Sequence, residues 1–258
     1  MKNSEISTYI TNWLYEYAQK SSTNGFIVGI SGGIDSAVTS TLCALTGENV
    51  CCLLMPIHQH KAEFDRSREH AEWLVKNFPN VTISTVNLSS TFENFTDQIP
   101  TNLQTELTMA NARARIRMTT LYTYAGAKGM LVVGTGNKVE DFGVGFFTKY
   151  GDGGVDLSPI ADLMKSEVFA LAKGLMIIPS IRNAAPTDGL WEDGRTDEDQ
   201  LGATYDELEW AMKSYTISAE NIFEGRQKEV FEIFKRLHLA NRHKMDPIPV
   251  CKLPSNLK

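Results

Sequence analysis

The stretch GFIVGISGGIDSAVTS, residues 25–40, decides the fold. It opens on an apolar run, passes through Ser-Gly-Gly-Ile-Asp-Ser, and continues as a helical pattern. A short apolar, β-branched run without polar alternation reads as a strand covered on both faces. Three more runs share that character: VCCLLMPI at 50–57, VTISTVNL at 81–88 and MLVVGT at 130–135. Helical patterns lie between them, at about 35–46, 61–77 and 102–128, with another at about 4–20 ahead of the first strand. Repeated strand–helix units predict an α/β fold, a doubly wound parallel sheet with helices on both faces. No repeat or low-complexity tract divides the chain, so residues 1–258 are expected to form a single domain.

Composition narrows the partners. The formal charge of −6 argues against a nucleic-acid surface, which needs a basic footprint. No apolar run is long enough to span a bilayer, and MKNSEISTYI lacks a signal-peptide core, so no membrane partner is expected. Cys43, Cys51, Cys52 and Cys251 show no Cys-x-x-Cys spacing. Adjacent Cys51 and Cys52 should point to opposite faces of a strand. Buried, reduced thiols and a cytoplasmic location are the expectation. His58 and His60 lie near Pro56, but no Cys or Asp completes a metal site with them.

The second half differs in texture. Residues 148–202 are rich in Gly, Pro and Asp and contain one clear helical pattern, Lys165–Gly174. Two helical stretches follow, at about 204–213 and 218–238. Long loops within a compact domain are often lids. Closure of loops 186–203 and 214–227 over a substrate is therefore expected.

A strand-to-helix turn presents unpaired N–H groups at the positive end of a helix dipole, which suits an anion. Gly32 and Gly33 let the backbone approach a phosphate, and Ser31 and Ser36 add hydroxyl donors. Asp35 would repel that phosphate unless a cation lay between them, which implies Mg2+. A capping role explains one such residue but not the whole string. The string is neither a Walker A motif, lacking Lys-Ser/Thr, nor a dinucleotide fingerprint, lacking Gly-x-Gly-x-x-Gly.

Strand MLVVGT also ends in small polar residues, which places Thr135 in the same crevice and Glu140 within reach as a second carboxylate. Taken alone, Glu140 reads as an ordinary helix-surface acid. Lys165 falls in the first turn of its helix, where a cation opposes the dipole. It is either solvated or set against an anionic ligand. In ARARIR, Arg113 and Arg117 share one helix face and Arg115 points almost the other way.

SGGIDS after a strand resembles the pyrophosphate-binding loop of the ATP pyrophosphatases, which have an adenine nucleotide α-hydrolase-like, Rossmann-like fold. The wider pattern resembles one branch of them, the ammonia-dependent NAD synthetases. It consists of Gly134-Thr135, Glu140, FFTKYGDGG (146–154), Asp156, Pro159, Leu163 and Lys165. NARARIRM (111–118), PTDGLW (186–191), TDEDQLGATYDELE (196–209) and His243-Lys244 extend it over nearly the whole chain. Two departures stand out. GNKV (136–139) replaces the Asp-His-Ala-Ala of many members, and one extra residue separates Glu140 from Lys149.

The resemblance implies a carbon–nitrogen ligase that joins ammonia to the nicotinate carboxylate of deamido-NAD at the expense of ATP, through an acyl-adenylate. It assigns Gly29, Ile30, Ser31, Gly32, Gly33, Ile34, Asp35, Ser36, Thr135, Lys165 and Thr187 to ATP. It assigns Asp35 and Glu140 to Mg2+, with Asp35, Glu140 and Lys165 as the catalytic set. Arg115, Lys149, Asp156, His243 and Lys244 go to deamido-NAD, the last two from the other subunit of a homodimer. Two rivals remain, a tRNA-thiolating relative and a non-catalytic nucleotide sensor. The first would want a cysteine pair and a basic extension, neither of which is visible; the intact Asp35, Glu140 and Lys165 argue against the second.

Overall fold

The computed structural model describes residues 2–187, 196–216 and 223–258. Parts of the two expected lid loops, 188–195 and 217–222, lie outside the described residues, so their closure does too.

The four expected strands form one parallel sheet: β1 (Phe26–Gly29), β2 (Val50–Leu54), β3 (Val81–Thr85) and β4 (Leu131–Val132), in the order β3-β2-β1-β4. Register is set by apolar pairs such as Phe26 beside Val50 and Leu131. β1 and β2 are central and almost wholly buried, as their sequence implies. β3 departs from the expectation. It is one of the two edge strands, and Thr82 and Ile83 are exposed.

Helices cover both faces. α1 (Asn3–Ser21), α2 (Ile34–Leu45), α3 (Lys61–Asn77), α6 (Lys165–Gly174) and the short α7 (Pro179–Arg182) contribute to one core, through Leu14, Leu42, Leu74, Leu171 and Ile181 against Phe26 and Val28. The opposite core joins Ile27, Leu53 and Val132 to α4 (Ser89–Asp97) and α5 (Glu106–Lys128), through Phe92, Met118 and Leu121. Cys52 faces the first core and Cys51 the second, the alternation a strand requires.

A third core lies to the C-terminal side. α8 (Asp197–Leu201), α9 (Tyr205–Thr216) and α10 (Gly225–Met245) pack Leu201, Leu208, Val230 and Phe234 onto Val139 and Val144. The last helix starts later and runs further than its pattern suggested, so His243 and Lys244 fall in its final turn. Among the described residues no helix is long and apolar enough to cross a membrane.

Candidate active site

The glycine turn sits where β1 hands over to α2, with Gly33 as the cap residue in extended conformation. Gly32 is required twice over. Its φ is +88°, and a Cβ there would come within 2.6 Å of the Glu63 carbonyl oxygen. Gly33 has open space apart from the Ser31 hydroxyl, which accepts its N–H at 3.1 Å. The Ser36 hydroxyl lies 3.0 Å from that of Ser31 and donates to the Gly33 carbonyl. Both serines line the cavity, where rotation about Cβ–Oγ can turn either hydroxyl proton toward a ligand.

Three distant residues converge beside the turn. The Lys165 ammonium donates to Asp35 Oδ2 at 2.7 Å and to Glu140 Oε1 at 2.8 Å. Lys165 is 3% exposed. Burial alone would push its pKa down, but the two carboxylates reverse that and hold it above the usual lysine value. Burial raises Asp35, and the neighbouring Glu140 charge adds to this while Lys165 opposes it. Burial acts in the same direction on Glu140, but Lys165 and hydrogen bonds from Lys165, Tyr205 and Asn137 outweigh it and leave that carboxyl below its ordinary value.

This revises the dipole argument for Lys165. The anions facing it are protein carboxylates as well as any ligand. The N-terminus of α6 is itself served by Glu209, which accepts from the Ser166 N–H and hydroxyl at 2.8 Å each.

The departures from the family pattern acquire a structural meaning here. Asn137 is fully buried, donates to Asp35 Oδ1 at 3.0 Å and accepts from the N–H groups of Val139 and Glu140. The segment that carries the extra residue contains a π-helical turn, Val139–Val144, a form that concentrates at functional sites. That turn swings the Asp141 carboxylate into the space a side chain at Gly136 would occupy, where a Cβ would lie 1.9 Å from Oδ2. Burial, with the Glu140, Asp152 and Asp35 charges adding to it, lifts Asp141 well above the ordinary carboxylate range. Burial also raises Asp152 to about 6, against the Thr148 N–H, which donates to it.

Asp35, Glu140, Asp141, Asp152 and Lys165 line one cavity of about 720 Å³, which lies between the carboxyl ends of β1, β2 and β4 and the C-terminal helices. Gly29 through Ser36, Thr135, Glu140, Lys165 and Thr187 all face it. So do Arg115, Lys149, His243 and Lys244. The last two come from the same chain as the rest, where the resemblance assigned them to a second subunit. Lys149 donates to the His243 carbonyl at 2.6 Å and Lys244 to that of Phe147 at 2.7 Å, which ties α10 to the glycine-rich loop.

Asp156 is placed elsewhere. Its carboxylate accepts from the Val132 N–H at 2.8 Å and the Tyr122 hydroxyl at 2.9 Å, and it does not line the cavity. The two-faced reading of ARARIR also changes, because both Arg115 and Arg117 reach the cavity. Arg117 donates to the Met55 carbonyl at 3.0 Å, and burial first, then Arg113, lowers its pKa to about 10.

Several residues here were not singled out from sequence. Tyr205 donates to Glu140 Oε1 at 2.5 Å, lies 3.1 Å from Asp197 Oδ2, and sets its ring 4.7 Å from the Lys165 ammonium. It is the link from the C-terminal helices to the acid pair. Its only sequence signal was membership of the TDEDQLGATYDELE stretch.

Among the described residues no group of three or more His, Cys, Asp or Glu is placed to hold a metal. Asp35 and Glu140 are nonetheless hard oxygen donors on the cavity wall beside a phosphate-sized turn. Mg2+ is commonly bound by one or two carboxylates plus substrate phosphates and water, and this pair fits that habit.

Known proteins are similar to this chain over most of its length. Residues 6–248 match the family described as NAD synthase. An NH(3)-dependent NAD(+) synthetase from Alkaliphilus metalliredigens is 38% identical over 93% of this chain and 96% of its own. Among solved structures, NMN synthetase from Francisella tularensis aligns with a TM-score of 0.84 and 31% identity, over 99% of both chains. The NH3-dependent NAD synthetase from Campylobacter jejuni aligns with a TM-score of 0.80 and 28% identity, over 98% of this chain and 100% of its own. With the glycine turn, the acid pair and its lysine all in one cavity, and the match running nearly end to end, the chain belongs to the NAD synthase family.

Proposed function

We propose that this protein is a carbon–nitrogen ligase that amidates deamido-NAD with ammonia and ATP, giving NAD, AMP and pyrophosphate through an acyl-adenylate. What supports this reading is that one cavity is lined both by the turn, Asp35, Glu140 and Lys165 and by Arg115, Lys149, His243 and Lys244.

A carboxylate is a poor electrophile for ammonia. Attack of the nicotinate carboxylate on the α-phosphorus of ATP expels pyrophosphate and gives the acyl carbon a good leaving group, AMP. Ammonia then adds at that carbon and AMP departs. Such chemistry depends mainly on positioning and on neutralising phosphate charge. The N–H groups and hydroxyls of residues 31–36 hold the departing pyrophosphate, with Thr135 and Thr187 on the same nucleotide. Lys165 keeps the two acids fixed and presents the nearest ammonium to the phosphates. Mg2+ held by Asp35 and Glu140 would add charge neutralisation there.

Arg115, Lys149, His243 and Lys244 face the anionic dinucleotide. A homodimer is supported by Tyr122 and Tyr150, both exposed, which line a second hollow of about 540 Å³ that shares Met118 with the main cavity. The free, buried thiols of Cys43, Cys51 and Cys52 support a cytoplasmic protein. Residues 1–258 are read as one synthetase domain.

A second reading concerns the length of the substrate. The alignment with an NMN synthetase over 99% of both chains favours a mononucleotide carrying the same pyridine carboxylate. Measuring kcat/KM with each substrate, under saturating Mg-ATP and ammonium, separates the two. Deamido-NAD is expected to lead by about tenfold or more, since the AMP half adds contacts that the mononucleotide lacks. A lead for nicotinate mononucleotide would establish the second reading, and turnover of neither would contradict both.

A further inference from the structure

Arg66 is an unspent cation of the cavity. It sits in the second turn of α3, half-buried, and lines the cavity next to the glycine turn. Its Cβ lies 3.5 Å from where a Cβ on Gly32 would be, so the side chain starts directly against the loop. Its Nε is buried with no hydrogen-bond partner. The other described Lys and Arg heads that line the cavity are engaged. Lys165 bridges two acids, and Arg115, Arg117, Lys149 and Lys244 each donate to a backbone carbonyl. Among the described residues that line the cavity, Arg66 alone of the lysines and arginines has a head group without a hydrogen bond or ion pair.

Charge makes the vacancy informative. Lys165 carries one positive charge between two carboxylates, so the cluster beside the turn is net negative before a nucleotide arrives. Glu63, one turn before Arg66, adds another acid to the same wall without pairing with it. A triphosphate therefore gains little from Lys165 alone. A guanidinium left desolvated at one nitrogen is costly unless something accepts from it, and a phosphate is the acceptor whose geometry a planar donor fork matches.

We propose that Arg66 binds the β- and γ-phosphates of ATP, and the pyrophosphate they become. The assignment rests on the glycine turn being the ATP phosphate site. It adds a residue, on a different helix, to those that the turn supplies.

The test is calorimetric binding of inorganic pyrophosphate and of AMP, each with Mg2+, to the intact protein and to Arg66→Ala. Arg68→Ala serves as control, because Arg68 is exposed on the same helix and pairs with Asp65. Arg66→Ala should weaken pyrophosphate by roughly ten- to a hundredfold, the effect of one charge-assisted contact, and leave AMP within about twofold. Arg66→Lys should recover part of the loss. Equal weakening of both ligands, or of neither, would overturn the assignment. If the alanine variant does not fold, Arg66→Gln carries the same comparison. Failure of the unaltered protein to bind pyrophosphate would instead overturn the phosphate site itself, and is recognised because it does not depend on Arg66.

Discussion

Replacing Lys165 with methionine should lower stability by about 3–5 kcal/mol and cut amidation by at least about a hundred- to a thousandfold. Methionine keeps most of the buried stem, so the loss isolates the ammonium. Without it, Asp35 and Glu140 face each other at 16% and 15% side-chain exposure with no cation between them. Two carboxylates so placed cannot both ionise cheaply, and one will hold a proton. The sign of the pH dependence follows. In the unaltered protein the folded-state lysine pKa is raised, so its contribution is fully present below the ordinary value of 10.5 and lost only as the pH climbs beyond it. In Lys165→Met the acids' pKa values rise instead, so that variant should lose stability as the pH rises from about 4 to 7. Thermal unfolding across pH, beside steady-state NAD formation, checks both halves. A variant as stable as the parent at pH 7.5 would mean that the acids do not depend on Lys165.

Asp35→Asn should leave the fold nearly intact and remove about a thousandfold of the activity. Asparagine matches the shape, and its oxygen can still accept from Lys165 or Asn137, the two donors Asp35 now has. What disappears is one negative charge at the point where the acid pair meets the phosphates. The half-saturating Mg2+ concentration should therefore rise along with the fall in kcat, while the melting temperature moves by only a few degrees. Titrating Mg2+ in the activity assay, with a melting curve on the same samples, reads both. Activity within tenfold of the parent would remove Asp35 from the reaction.

The sheet was legible because strands buried on both faces cannot hide their composition: GFIVGI, VCCLLMPI and MLVVGT admit few other readings. α4 was not, since SSTFENFTD is poor in strong helix formers and buries only Phe92. The glycine turn suggested an anion site by its chemistry. Its partners did not announce themselves, because Lys165 lies 130 residues from Asp35 in the chain and only the resemblance joined them. Asn137 and Tyr205 look like ordinary polar residues until the fold buries them against the acids. The additional residue after Glu140 could be counted in the sequence. That it becomes a π-turn, and that the turn delivers Asp141 to the cavity, depends on how α10 and Asn137 constrain that segment.

In this cavity the carboxylate of the pyridine substrate is expected to attack the α-phosphorus of ATP. Incubating the protein with Mg-ATP, ammonium and deamido-NAD labelled with 18O in its carboxylate tests it most directly, by mass spectrometry of the products. NAD and pyrophosphate should form in equal amounts, with one 18O atom transferred to AMP and none to pyrophosphate. Pyrophosphate or NAD formed without label in AMP would contradict it.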